Sequence, residues 1–313
     1  MPHAADAVEA VREAGLGVAF VTNNASRRPE VVAEQLTGLG ISAGPEDVVT
    51  SGQAAAKMVA GRVPAGSAGL VLGTDALADE VAGRGLRPVR TVAEAGEDGV
   101  SAVVQGLSPQ TCHSDLAEAT VALRGGALWV AGNADATLPT RRGPMPGNGA
   151  FVAALRLVTG LEPLVAGKPD PALHRESVLR VGAQRPLVIG DRLDTDVLGA
   201  VRGEADSLLV LTGVVDLEAL LQAPPGSRPT FVSSDLRGLL EPHPEVVLDG
   251  ETARCGAVTA RYENGAVRVE GREEAAGEQL DLEALRACAA LSWACADARR
   301  PEVEEGLRAE PGA

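Results

Sequence analysis

The sequence predicts an α/β protein built on parallel β-sheets with helices packed on their faces. Three observations carry this reading. Short apolar runs alternate with helical stretches along most of the chain. The runs GLVL (69–72), AVVQ (102–105), LWVA (128–131), PLVI (186–189) and SLLVL (207–211) are nearly continuous in apolar character, as expected of strands covered on both faces. The polar stretches TNNAS and GDRLDTD each begin where such a run stops. Open parallel sheets place ligands at those C-terminal strand ends, so the two stretches are expected to face one crevice.

The elements follow in order. Residues 3–14 carry Ala4, Val8 and Val11 at helical spacing and stop at Gly15. Leu16–Val21 is expected as the buried strand that follows. Pro29–Leu39 and Gly52–Val59 read as helices, the first closed by Gly40. The pairs Gly69–Leu72 with Asp75–Ala82, and Ala102–Gln105 with Asp115–Arg124, repeat the strand-then-helix pattern. Leu128–Ala131 is expected to lead into a long loop, NADATLPTRRGPMPGNG. Pro186–Ile189 precedes GDRLDTD, and Ser207–Leu211 precedes Thr212 and Gly213. Beyond about residue 241 the texture changes. EPHPEVVLDG is broken by prolines, ARYENGAVRV carries the Asn-Gly turn of a hairpin, and Leu282–Ala298 has helical spacing through Leu285, Ala289 and Trp293. Residues 300–313 read as a disordered tail.

Composition limits the function. The 313 residues suffice for roughly two domains. With 28 Lys plus Arg against 43 Asp plus Glu, the formal charge is -15, which disfavours nucleic acid as a partner. The sequence has no apolar stretch near the roughly 20 residues of a membrane helix, and its first residues do not resemble a signal peptide, so a cytoplasmic location is expected. Cys112, Cys255, Cys288 and Cys295 show neither a CxxC pair nor zinc-finger spacing, and are expected as free thiols. The only lysines are Lys57 and Lys168, and asparagine occurs five times. In a chain so sparing of both, Lys168 and the adjacent Asn23 and Asn24 stand out as chemically required.

Three stretches carry candidate chemistry. In GDRLDTD, Asp191 stands just past the strand, where a carboxylate can ligate Mg²⁺ in a partly hydrated oxygen shell. Of Asp194 and Asp196, one is expected to hold the metal's waters or pair with a cation, and the other to cap a helix beginning near Val197. A solvated acidic turn is the competing reading. In VTNNAS, Thr22, Asn23 and Asn24 offer neutral donors that suit a phosphate, against the alternative of a turn that caps the next helix. In AGKPDPALH, Lys168 precedes a proline and is expected on a stiff loop, with Asp170 and Pro171 at a helix start. Its compact ammonium suits the neutralisation of charge on a phosphate; a surface lysine is the alternative.

The order TNNAS, α/β insert, GKPDP, GDRLDTD, LTGV resembles the haloacid dehalogenase superfamily of Mg²⁺-dependent phosphatases. The resemblance is to the branch with a large α/β cap, which includes p-nitrophenyl phosphate, phosphoglycolate, glycerol-3-phosphate and pyridoxal phosphate phosphatases. It runs from residue 3 to about 240. It implies a Rossmann-like parallel-sheet core (1–65 and 161–240), a cap (66–160) with NADATLPT and PMPGNG shaping the substrate pocket, and a small α+β C-terminal extension (241–313) like that of bacterial glycerol-3-phosphate phosphatases. It further implies that Asp191 holds Mg²⁺, that Thr22, Asn23 and Lys168 grip the phosphoryl group with Asn24 beside them, and that Asp194 and Asp196 support the site. The expected partner is a small phosphorylated metabolite, glycerol 3-phosphate or phosphoglycolate, with self-association into a homo-oligomer admitted.

The family's nucleophile and its acid/base partner are the two aspartates of a D-x-D-G motif ahead of the first helix. No D-x-D-G occurs in the sequence; LDG at Leu248–Gly250 lacks one aspartate, and Asp249 reads as a turn residue. The sequence-level expectation is that the natural protein carries a further strand and the nucleophile loop upstream of an internal methionine. The alternative is a relative that binds phosphate without hydrolysis. A chain without that strand is expected to leave two sheet edges unpaired and to be catalytically silent.

Overall fold

The structure is a computed structural model that describes residues 3–270 and 282–298. Five elements open the chain: α1 (Ala4–Glu13), β1 (Phe20–Thr22), α2 (Pro29–Gly38), β2 (Val48–Thr50) and α3 (Ser51–Ala60). The apolar run at Leu16–Val21 forms a shorter strand than its sequence suggests, because only Phe20–Thr22 finds a parallel partner, in β2. Pro29 starts α2 at a position where its missing N–H costs nothing. Thr50 caps α3, its hydroxyl accepting the Gln53 N–H while Gln53 Oε1 accepts the Thr50 N–H.

The next stretch builds a second layer: β3 (Ala68–Leu72), α4 (Asp75–Gly83), β4 (Arg87–Val89), α5 (Val92–Ala95), β5 (Ala102–Gln105), α6 (His113–Arg124), β6 (Leu128–Ala131), β7 (Thr137–Thr140), β8 (Gly143–Pro146), α7 (Asn148–Thr159) and β9 (Leu164–Val165). All strands here except β7 and β8 join one parallel sheet in the order β4-β3-β5-β6-β9. Its two faces are covered separately. Val71, Val104 and Val130 meet α3 and α4 through Ala55, Val59 and Leu77, and Leu70, Val103 and Trp129 meet α6 and α7 through Ala119, Leu123 and Leu155. This two-sided burial explains why the strands read as continuous apolar runs. The expected long loop after β6 instead contains an exposed antiparallel ribbon, β7 with β8, and leads into α7. The sheet extends to β9, past residue 160.

The remaining elements are α8 (Ala172–Val181), β10 (Leu187–Gly190), a π-turn at Leu193–Val197 running into α9 (Leu198–Arg202), β11 (Asp206–Val210), α10 (Leu217–Leu221) and β12 (Phe231–Ser233), then β13 (Val246–Asp249), β14 (Thr252–Cys255), β15 (Val258–Glu263), β16 (Ala266–Glu270) and α11 (Leu282–Ala298). Strands β10, β11 and β12 form a three-stranded parallel sheet, separate from the β1–β2 pair. Among the described residues β1 pairs only with β2, and β10 only with β11, so each keeps an unpaired edge. Leu187 and Ile189 of β10 are 40% and 38% exposed, unusual for parallel-sheet residues.

The last four strands form an antiparallel meander. Asn264 and Gly265, both at positive φ, make the tight turn between β15 and β16, as the Asn-Gly pair requires. The proline-broken stretch yields β13 beyond Pro244, and Asp249 ends it at a turn. Helix α11 covers the meander with Ala287 and Leu291, and turns Leu285, Ala289 and Trp293 toward the β10–β12 sheet. Trp293 Nε1 donates to the Leu220 carbonyl at 3.0 Å, which ties the extension to the core. No disulfide joins Cys112, Cys255, Cys288 or Cys295 among the described residues. No helix among the described residues is long and apolar enough to cross a membrane. The stretch 300–313 lies outside the described residues.

Candidate phosphate-binding site

The three stretches singled out in the sequence meet around Lys168. Asn23, one residue past β1, turns its side-chain amide onto the backbone of Lys168. Its Oδ1 accepts the Lys168 N–H at 2.7 Å and its Nδ2 donates to the Lys168 carbonyl at 3.1 Å. The Lys168 side chain reaches to the end of β10, where Nζ lies 2.6 Å from Asp196 Oδ1. The C-terminal ends of β1 and β10 are therefore joined through one residue, as the sheet geometry anticipated.

Asp196 is 6% exposed, and its other oxygen accepts the Arg192 N–H at 3.2 Å. This corrects the expectation that one of the two later aspartates caps a helix near Val197. The helical turn already begins at Leu193, so Asp196 sits inside it and reaches back to its start. Asp194 faces solvent and pairs with Arg192 in a bidentate contact at 3.0 and 2.7 Å. That hydrogen bond holds the Asp194 carboxyl below its ordinary range. Both residues thus pair with cations.

Asn24 closes a turn in the loop ahead of α2, its Oδ1 accepting the N–H groups of Ser26 at 2.7 Å and Arg27 at 3.2 Å. The Thr22 hydroxyl oxygen accepts the Asn24 N–H at 3.2 Å, which leaves its O–H as a donor at the strand end. Asp170, expected to cap this helix, accepts the Ala172 N–H at 2.9 Å, and α8 starts at Ala172, one residue after Pro171. Asp191 is half-buried.

The sequence reading did not single out Asp135, Asn133 or His174. Asn133 Nδ2 donates to the Asn23 carbonyl at 2.7 Å, and the Ser51 hydroxyl donates to the same oxygen. Asp135 faces Asn23 Nδ2 at 3.3 and 3.4 Å. The scarcity of asparagine could have marked Asn133 and Asn148, but nothing in the residue pattern joins them to Asn23 across more than a hundred positions. His174 is 6% exposed and packs against Gly199; its Nε2 has no partner among the described residues.

Lys168, Asp135, Arg192, Asp194, Thr137 and Thr195 line one cleft of about 680 Å³, ample for a small phosphate ester. A smaller cleft of about 420 Å³ by Glu30, Glu34 and Thr37 offers two carboxylates and no cation, which suits no anion. Among the described residues no three His, Cys, Asp or Glu side chains gather into a metal cage. Asp191 still fits Mg²⁺, which keeps most of its waters and takes only one or two protein carboxylates beside substrate phosphate.

Gly190 fixes this corner. A Cβ there would overlap the Asp196 carboxylate. Gly190→Ala is therefore expected to push Asp196 off Lys168 and to cost roughly 1–3 kcal/mol of stability. Urea unfolding measures this, and a change below about 0.5 kcal/mol would mean that the corner yields freely.

Comparison with known proteins follows the same outline. The haloacid dehalogenase-like hydrolase model matches residues 1–87, and a second, HAD-hydrolase-like model matches residues 165–239. An acid sugar phosphatase of Staphylococcus saprophyticus is 32% identical over 224 residues, covering 71% of this chain and 83% of its own length. The chain belongs to the haloacid dehalogenase-like hydrolases. Within this family, a D-glycerol 3-phosphate phosphatase of Mycobacterium tuberculosis is 56% identical over 220 residues, which are 70% of this chain and 61% of that protein. The crystal structure of a glycerol phosphate phosphatase from Mycobacterium tuberculosis in complex with magnesium superposes with a TM-score of 0.81 at 45% identity, covering 94% of this chain and 85% of that one. That superposition takes in more of the chain than the two segments matched by the family models, the second of which ends at residue 239.

Proposed function

We propose that this chain is the phosphate- and metal-binding part of a Mg²⁺-dependent phosphomonoesterase that acts on a small phosphorylated metabolite, glycerol 3-phosphate or phosphoglycolate. The observation that carries the reading is Lys168 held between Asn23 and Asp196. A lysine fixed at both its backbone and its ammonium is arranged for a stationary anion rather than for solvent. Similarity to phosphatases of one family, including a magnesium-bound glycerol phosphate phosphatase, supports the same reading.

In this proposal Lys168 contributes positive charge to the phosphoryl oxygens, and the Thr22 hydroxyl and Asn24 amide donate to them from the end of β1. Asn23 acts through Lys168, whose backbone it clamps. Asp191 would hold Mg²⁺, which supplies charge neutralisation for the bound phosphate. Residues 66–160 are proposed as the cap, 1–65 and 161–240 as the two parts of the core, and 241–313 as an extension. Phosphoryl transfer in the family resemblance uses an aspartyl-phosphate, and no D-x-D-G motif stands in these 313 residues. We therefore expect negligible turnover by this chain alone. A purely phosphate-binding relative is the second reading, favoured by that same missing motif.

Mg²⁺ titration in the presence of inorganic phosphate tests the shared part. Asp191→Asn is expected to weaken Mg²⁺ binding by at least about tenfold, as loss of the protein's one anionic ligand would. Unchanged affinity would remove Asp191 from the role. The two readings separate on adding an upstream segment with the D-x-D-G motif. Mg²⁺-dependent turnover of p-nitrophenyl phosphate then supports the esterase, and continued silence supports the binding module.

A further inference from the structure

We propose that Asp135 sets the leaving-group preference of this site, favouring the monophosphate of a neutral, hydroxyl-bearing alcohol over that of a carboxylic acid. The role rests on the phosphomonoesterase reading above.

Asp135 lines the same cleft as Lys168 and Arg192. Its carboxylate is half-buried, and the Asn23 amide that faces it lies at 3.3 and 3.4 Å, beyond the best hydrogen-bonding distance. Burial pushes its carboxyl above the ordinary range, while Asn23, Arg192 and Lys168 draw it back. The oxygens retain capacity to accept donors from a ligand.

The backbone that carries the carboxylate is held from several sides. The Asp135 N–H donates to Asn133 Oδ1 at 3.2 Å, and the Asp135 carbonyl accepts the Gly149 N–H at 2.9 Å. Asn148 Nδ2 donates to the Asn133 carbonyl at 2.7 Å. Gly147 and Gly149 bring the start of α7 so close to this loop that a Cβ on either would overlap the backbone of Ala134, Asp135 or Thr137. The glycines of PMPGNG thus serve to seat Asp135.

Charge decides what can stand beside it. Lys168 lies between Asp196 and, in the proposed function, the phosphoryl group, and Arg192 pairs with Asp194 through two contacts. Arg202, the remaining cation of the cleft lining, is exposed, where water screens it. A ligand carboxylate near Asp135 would therefore meet like charge without a dedicated counter-ion. A ligand hydroxyl would instead donate to Asp135 in a charge-assisted hydrogen bond. Selectivity then combines attraction for one class with repulsion of the other.

Calorimetry on the full chain with Mg²⁺ tests this, using inorganic phosphate, glycerol 3-phosphate and phosphoglycolate as ligands. Affinities for the two esters are referred to that of inorganic phosphate, which has no leaving group, for each variant. Glycerol 3-phosphate is expected to bind about tenfold or more tightly than phosphoglycolate. Asp135→Asn should shrink that ratio to about twofold, mainly by tightening phosphoglycolate, whereas Asp135→Glu, which keeps the charge, should preserve the preference. An undiminished ratio in Asp135→Asn, with phosphate still bound, overturns the role of Asp135 alone. Loss of phosphate together with both esters in that variant makes Asp135 a structural residue and overturns it too. A wild-type chain that binds none of the three ligands overturns the esterase reading as well.

Discussion

Lys168→Met is expected to destabilise the folded chain by about 3–5 kcal/mol, because it strands a buried carboxylate. Asp196 has 9% of its side chain exposed and Lys168 only 16%, so neither charge has water to fall back on in the native state. Once the ammonium is gone, Asp196 keeps only the Arg192 N–H. The reverse variant, Asp196→Asn, should cost less, about 1–2 kcal/mol, since the flexible lysine stem can carry its charge outward. Combining the two should recover part of the loss, because a buried pair replaced as a unit costs far less than one that is broken. Urea unfolding of the three variants measures the cycle. A Lys168→Met variant within about 1 kcal/mol of wild type would refute the account. The Arg192–Asp194 pair makes the contrast: at 46% and 68% exposure, it should be worth under about 1 kcal/mol despite its bidentate geometry.

The same stretch shows how much of the molecule was legible in the sequence. The parallel sheets were legible because burial on both faces leaves a run such as AVVQ or SLLVL with almost nothing polar in it. Helix boundaries fell within two residues where a proline or glycine marked them, as at Pro29 and Gly40. The ribbon of β7 and β8 was not legible. Its residues are mostly exposed, and Pro139, Pro144 and Pro146 suppress any alternating pattern, so only the antiparallel pairing reveals it. Helix α7 hid behind the same loop, although Val152, Leu155 and the terminating Gly160 were available as signals. Strand β9 has two residues, too few for any periodicity.

For the site, residue identity was legible and partnership was not. The rarity of lysine and asparagine picked out Lys168, Asn23 and Asn24, yet it could not say that Asn23 clamps the Lys168 backbone while Asn24 caps a turn. Side-chain amides of adjacent residues point in different directions, and tertiary context assigns their roles. The pairing of Lys168 with Asp196 spans 28 positions and depends on the π-turn at Leu193–Val197, which swings Asp196 inward and leaves Asp194 in solvent. Asp135 reaches the same corner from the loop between β6 and β7. Such contacts arise from how the parallel strands are ordered, and local sequence carries no record of that order.

Acid should unfold this chain early, and His174 should be the cause of a defined part of the loss. Burial lowers its pKa from 6.5 to about 4, with Lys168 adding to the effect and Asp196 opposing it. The folded state therefore keeps the imidazole neutral down to about pH 4, whereas the unfolded chain takes up a proton below about 6.5. Since the unfolded state binds more protons in that window, stability falls as pH drops from about 6.5 to 4 and the penalty levels off beneath it. The ceiling on the effect is about 3 kcal/mol for a shift of this size. His174→Leu removes both the titration and the unpartnered Nε2, whose burial costs about 1–3 kcal/mol, so the variant should be at least as stable as wild type at pH 7. Carboxylates also titrate below pH 5, so the diagnostic quantity is the difference between the two proteins. That difference should grow in favour of His174→Leu between pH 6.5 and 4.5. Parallel stability curves over this range would show that His174 is not the group that makes the core acid-sensitive.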